Sequence, residues 1–333
     1  MLKSFCGKNR PALRCVLLSG IIVGLILTMP LAGLLRAEEF PSREIKLVVP
    51  LAPGGGVDVP ARMFADKVAK ILGVPVTVVN NTAGGGVAGV LSVVQAKPDG
   101  YTLLYTPSGQ IITKELLNPS LPFRHTDFTA IAQTIVMPVA IFVKQDAPWK
   151  NLKELVDYGK KNPGQLRVSV GTAGGFLQTL TDFFISTAGI EITAIPTKGG
   201  ASQIAALIGG HAEICTDAFS TAVSFLRAGK VRALVGTHKI AQFPAIKTFA
   251  EEGYPQINLK MWHGIFGAKN MPKNVVTKLT EAFEKASSDP SLREQLGKLN
   301  IIPDYHGPEE TAKLVISERD ITSKVLKQSG VIK

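Results

Sequence analysis

Short runs rich in valine, isoleucine and leucine recur along the chain at 45–49, 76–79, 102–105, 131–135, 139–143, 166–170, 191–195, 213–216 and 232–236. They lack a regular polar alternation, so each predicts a strand buried on both faces, as in a parallel sheet covered by helices. Between them the apolar positions take a helical spacing. Ala61, Phe64, Ala65, Val68, Ile71 and Leu72 form one stripe; Leu152, Leu155 and Val156 form another behind Asn151, a residue suited to capping. Later helices are predicted over 275–286, over 291–299 behind the Asp289-Pro290 pair, and over 309–328.

This alternation predicts an α/β protein of two domains, each a mainly parallel sheet flanked by helices. Residues 146–236 read as a self-contained βαβ set, the body of a second domain over 137–236. The segment beyond Gly236 reads as helices too few and too late for a third, so 38–136 and 237–333 make a discontinuous first domain, with chain crossings near Ile135 and Gly236. Open α/β sheets bind ligands beyond the carboxyl ends of their strands, and two such domains would share a cleft.

Residues 1–37 stand apart. Lys3, Lys8, Arg10 and Arg14 precede or flank the start of an apolar run over 16–35, which closes on Leu35-Arg36-Ala37. This is the layout of a secretory signal with cleavage after Ala37. An uncleaved membrane anchor is the alternative, against which Pro30, Gly20, Gly24 and Gly33 weigh by weakening a spanning helix. Neither Cys6 nor Cys15 follows a small-residue motif for lipid attachment, and no second long apolar segment exists. Without residues 1–37 the formal charge falls from +11 to +6. That mild excess suits an anionic ligand, while the scattered lysines and arginines make no nucleic-acid footprint. Cys215 is the one cysteine beyond the signal segment, which excludes an intrachain disulfide there.

The candidate chemistry lies in glycine-rich turns. Pro53-Gly54-Gly55-Gly56-Val57-Asp58 follows the first strand and leads into a helix beginning near Val59 or Pro60; Gly171-Thr172-Ala173-Gly174-Gly175 repeats the arrangement in the second domain. Ala83-Gly84-Gly85-Gly86 and Lys198-Gly199-Gly200-Ala201 precede two further helices. Such turns let backbone approach a ligand closely and leave N–H groups at helix N-termini pointing at an anion. A single one is ordinary α/β punctuation; one in each domain points to an anion held between them. Asp58 reads equally as a helix N-cap or as a group selecting a ligand hydroxyl, amine or protonated carboxyl.

Other chemistries find no support. No glycine loop ends in Gly-Lys-Ser/Thr, no Gly-x-Ser-x-Gly elbow occurs, and Ser108 has no evident histidine partner. The five histidines are far apart, without metal-ligand spacing, and most read as ordinary surface or loop residues. Cys215 reads as a small buried hydrophobe and not a nucleophile. Trp262 reads as a packing residue or as a wall of the cleft. No cofactor or metal is implied.

Taken in order, the signal segment, the Pro53 to Asp58 turn with Arg62, Asn80-Asn81 before a glycine run, Lys97-Pro98-Asp99-Gly100-Tyr101-Thr102-Leu103, Lys198-Gly199-Gly200-Ala201 and Arg227-Ala228-Gly229-Lys230-Val231-Arg232-Ala233-Leu234 resemble the extracytoplasmic receptors of tripartite tricarboxylate transporters, the Bug family. The likeness runs from about Phe40 to Lys333. It implies a two-domain Venus-flytrap binding protein, not an enzyme, located in the periplasm, monomeric, and working with integral-membrane transporter subunits. It also implies a small carboxylate ligand held by Gly54, Gly55, Gly56, Val57 and Asp58 of one domain and Thr172, Ala173, Gly174 and Gly175 of the other. Thr106 and Ser108, Lys198, Gly199, Gly200 and Ala201, and Asp217 match further borders of the pocket. Where the family commonly has serine and histidine in the second-domain loop, this chain has Thr172 and Thr179; Thr82-Ala83 replaces a common Arg-Pro and Thr197 a common tyrosine. With Phe176 added, these departures point to a ligand with an apolar or aromatic body. The alternative function is a ligand sensor presenting the bound carboxylate to a membrane histidine kinase, and an enzyme on a similar fold is a third.

Overall fold

The computed structural model describes residues 39–171, 175–197, 201–328 and 330–332; the expected signal segment lies outside them. Contacts divide the chain into Met1–Ser42 and Arg43–Lys333, and the described strands and helices all lie in the second unit.

Its elements begin with β1 (Ile45–Val49), α1 (Asp58–Leu72), β2 (Val76–Asn80), α2 (Val87–Val94), β3 (Thr102–Pro107), α3 (Thr113–Leu117) and β4 (Phe128–Met137). After Pro138 come β5 (Val139–Lys144), α4 (Leu152–Lys161), β6 (Leu166–Val170), α5 (Phe176–Ala188), β7 (Ile192–Pro196), α6 (Ala201–Ile208), β8 (Ile214–Ala218), α7 (Phe219–Arg227) and β9 (Val231–Gly236). The chain finishes with β10 (Met261–Ala268), α8 (Lys273–Ser288), α9 (Pro290–Lys298), β11 (Ile302–His306) and α10 (Pro308–Gln328). Local chemistry fixes several helix ends. Asn151 Oδ1 accepts from the Glu154 N–H at 2.9 Å ahead of α4, and Asp289 Oδ1 accepts from the Leu292 N–H at 2.9 Å ahead of α9.

Two sheets result, with strand orders β11-β4-β10-β3-β1-β2 and β7-β6-β8-β5-β9. Both are mixed. Parallel pairing holds for β1 with β2 and β3, and for β6 with β7 and β8; β10 with β3 and β4, β4 with β11, and β5 with β8 and β9 run antiparallel. The mainly parallel sheets expected from the apolar runs are therefore parallel on one side only. Continuous burial reports that helices cover both faces, and antiparallel strands in such a sheet share it; β10 is buried along nearly its whole length.

β10 and β11 are the strands that the apolar pattern does not reveal; in β10 the interruption has a packing cause. Gly264 and Gly267 interrupt it, yet a Cβ on Gly264 would stand 2.8 Å from the Trp262 ring and 2.9 Å from the Phe266 ring. The glycine makes room for two rings packed from its own strand.

Val48, Val90, Leu104, Val136, Trp262 and Phe266 form the core around the first sheet. On the second, Val168, Val170, Leu180 and Phe184 fill one face and Phe142, Ile204, Leu207 and Phe219 the other. Residues 237–259, expected in the first domain, pack on the second sheet instead. Phe249 lies 5.7 Å from Phe184 and Phe243 5.2 Å from Phe219 between ring centroids, and Ile257 and Leu259 join the same core as Phe184. The apolar side chains of this stretch have no regular period, so its partner could not be read from the sequence.

Two chain passages link the sheets. One runs through Pro138; the other leads from Leu259 into β10, where Met261 pairs with Met137. Beside them Val139 N–H donates to Thr237 Oγ1 at 3.0 Å and Thr237 N–H to Val139 O at 2.8 Å. α10 lies along both lobes: Leu314 and Val315 pack into the first core and Ile321 on the second.

Candidate binding site

The turn after β1 is braced by one carboxylate. Asp58 is the first residue of α1 and is 2% exposed. Its Oδ2 accepts from the Gly54 N–H at 2.8 Å and from Arg62 Nε at 2.9 Å; its Oδ1 accepts from Asn80 Nδ2 at 2.9 Å. Asn80 Nδ2 also reaches Leu51 O at 2.9 Å, and Arg62 Nη2 donates to Asn80 Oδ1 at 3.0 Å. Burial pushes the Asp58 carboxyl upward, but the bonds from Arg62, Gly54 and Asn80 outweigh it and hold the group below the usual carboxylate range. The capping reading gives way, since Val57 occupies the N-cap position and receives no side-chain cap. Asp58 instead ties the turn to the end of β2 and to the next turn of α1.

That bracing uses the Gly54 N–H and spares its neighbours. Among the described residues, no hydrogen bond engages the N–H groups of Gly55, Gly56 and Val57. They stand at the N-terminus of a 15-residue helix, where the aligned peptide dipoles add positive potential. A Cβ on Gly56 would meet Met137 Cε at 3.2 Å, which sets the turn against the chain passage between the lobes. The Ala83–Gly86 turn has a different explanation. A Cβ on Gly86 would fall 2.4 Å from Pro50 O, so close packing against the end of β1 requires glycine there.

In the second lobe, Gly171 and Gly175 are described, the latter at the N-cap of α5. Thr172, Ala173, Gly174, Lys198, Gly199 and Gly200 lie outside the described residues, and Ala201 opens α6. Asp217 sits at the end of β8, beside β6. Its Oδ1 accepts from the Ala218 N–H at 2.7 Å, and burial pushes the carboxyl up to about 7 against that bond and the Thr221 hydroxyl. Gln203 Nε2 donates to Thr216 O at 2.6 Å, while its Oε1 has no partner among the described residues and would lie 3.6 Å from a Cβ on Gly171. Gln203 carried no signal in the sequence beyond following a glycine turn.

Between the lobes, a Cβ on Gly109 would stand 3.9 Å from Phe176 Cβ, so the turn after β3 faces the start of α5. Thr106 and Ser108 are fully buried. Thr106 Oγ1 donates to Pro107 O at 3.3 Å and Ser108 Oγ to Glu318 Oε1 at 2.7 Å, so both hydroxyls are engaged within the protein. Glu318 escaped the sequence analysis, although it lies on the buried face of α10 marked by Thr311, Val315 and Thr322.

Trp262 is fully buried and its indole N–H donates to Glu318 Oε2, so it packs and does not line the cleft. His263 is an exception to the surface reading given to most of the histidines. It is buried edge-on to Tyr105 at 5.6 Å, and burial pushes its imidazole down to about 3. Cys215 is buried, with its thiol pushed up by that burial. Among the described residues no group of histidine, cysteine and acidic side chains is placed to hold a metal ion.

Two helix-covered lobes joined by paired chain passages, with free N–H groups at the junction, define a two-domain solute-binding protein. The chain belongs to the family described as the tripartite tricarboxylate transporter family receptor, which residues 60–331 match. It is 27% identical to Protein BugT of Bordetella pertussis, over 93% of this chain and 96% of that one. Among solved structures it resembles MatC from Rhodopseudomonas palustris with bound malate, at TM-score 0.72 and 29% identity over 86% of this chain and all of the other. It also resembles R. palustris Rpa4515 with adipate, at TM-score 0.77 and 26% identity over 88% and 99% of the two chains.

Proposed function

We propose that this chain is an exported receptor that captures a small carboxylate between its lobes and delivers it to the membrane subunits of a tripartite tricarboxylate-type transporter. The observation that carries the reading is the row of N–H groups at Gly55, Gly56 and Val57, left free by the bracing of Asp58 and set at the junction of the lobes. Fixed donors at a helix start bind a carboxylate without reorganising first. The malate and adipate held by two relatives are both dicarboxylates, which supports the same ligand class here.

In this reading the second lobe contributes Thr172 to Gly175, Lys198 to Ala201 and Asp217, and the passages at Pro138 and near Lys260 act as the hinge. Contacts made to both lobes only in the closed state shift the population toward closure. Phe176, facing Gly109, favours a ligand with an apolar body. Thermal-shift measurements on residues 38–333 with malate, adipate, citrate and an aromatic carboxylate test both levels. Stabilisation by carboxylates and not by their neutral amides is expected. Citrate acting alone would remove the apolar-body reading, and no response to any carboxylate would remove the receptor reading itself.

A further inference from the structure

Glu318 lies where the two lobes and the C-terminal helix meet. It is 4% exposed, and its two oxygens accept separate donors, the Ser108 hydroxyl at 2.7 Å and the Trp262 indole N–H. About one turn before it on α10, Leu314 and Val315 pack into the first-lobe core; about one turn after it, Ile321 packs on the second. A cavity of about 180 Å³ opens beside it, bordered by Leu259 and Lys260 of the second chain passage. Ser108 in turn anchors its own turn, its carbonyl accepting from the N–H groups of Ile111 at 3.1 Å and Ile112 at 2.9 Å. The next residue, Gly109, faces Phe176 of the opposite lobe.

We propose that Glu318 is a positioning residue whose carboxyl ties the C-terminal helix to the Ser108-Gly109 turn, and that gain or loss of its proton changes how firmly that turn is held against the second lobe. When ionised, the carboxylate takes both donors and fixes the Ser108 hydroxyl inward. When protonated, it can give its own proton to Ser108 Oγ, which releases the serine proton to another acceptor. Burial pushes the group up to about 7 despite the bonds from Ser108 and Trp262, so both states occur near neutral pH. The charged groups around it are few. Lys260 borders the cavity, Arg319 pairs with Glu115 of α3 at 3.4 Å, Asp320 follows on α10, and His263 of β10 packs against Tyr105. The proposal rests on the receptor reading only in treating this turn as a wall of the ligand cleft, and it is tested without ligand.

Trp149→Phe in residues 38–333 leaves Trp262 as the one tryptophan. Its fluorescence, titrated from pH 5 to 9, is expected to change with a midpoint near pH 7, and the transition should vanish when Glu318→Gln is added. Amide hydrogen exchange at Ile111 and Ile112 at pH 7 is expected to be at least tenfold faster in Glu318→Leu than in the parent, with Glu318→Gln, the stand-in for the protonated carboxyl, intermediate between them. A titration absent from the parent, or one that persists in Glu318→Gln, would overturn the proposal, as would unchanged exchange in a folded Glu318→Leu. If Glu318→Leu does not fold, the titration and the exchange in Glu318→Gln decide. Failure to bind any carboxylate would count against the receptor reading and leave these results standing.

Discussion

A valine at position 55 would set its Cβ 3.3 Å from Ala52 O and crowd the free N–H groups of the first turn. Gly55→Val is expected to weaken carboxylate binding at least tenfold, about 1.4 kcal/mol, with circular dichroism unchanged. Isothermal titration calorimetry measures it, and wild-type affinity would show that the turn is not a ligand contact. Asp58→Ala removes the acceptor for Gly54, Arg62 and Asn80 and is expected to cost about 2 kcal/mol in urea unfolding. Asp217 obeys the opposite rule to Asp58. Its folded value lies near 7 and its unfolded value near 3.8, so its contribution is full below the unfolded value and lost as pH rises through 7. Asp217→Asn should therefore raise the Tm relative to wild type more at pH 8 than at pH 4; an equal shift at both would contradict the buried, proton-retaining carboxyl. The glycine turns were legible because their composition is local. The use of Asp58 was not, since it depends on Asn80 from the next strand, and the cap and ligand readings of an aspartate before a helix look alike in sequence.

At the scale of elements, strands marked by a short apolar run were legible nearly to the residue, as with β1 and β6. Asn151 ahead of α4 follows its capping reading, and Asn151→Ala is expected to lower stability by about 1 kcal/mol while leaving ligand affinity unchanged, as chemical unfolding and calorimetry together would show. β10 was illegible because its glycines answer to packed rings and not to a turn. Strand direction was illegible for a related reason. The apolar runs record burial, and both parallel β1 and antiparallel β5 are buried by helices on two sides.

For the whole molecule, the order of the apolar runs leads to the expectation of a discontinuous first lobe; β1 to β4 share one sheet with β10 and β11. The path of residues 237–259 did not follow, because Phe243, Phe249 and Ile257 find their partners in helices formed far earlier in the chain. That packing makes this stretch part of the body that would swing with the second sheet. The central claim is that a carboxylate is held by the first turn and by the second lobe at once. A crystal structure of residues 38–333 with the carboxylate that stabilises it most tests this directly. The account predicts carboxylate oxygens about 2.7–3.2 Å from N–H groups among Gly55, Gly56 and Val57, with further contacts from residues between β6 and α5. A ligand bound elsewhere, or touching one lobe alone, would contradict it.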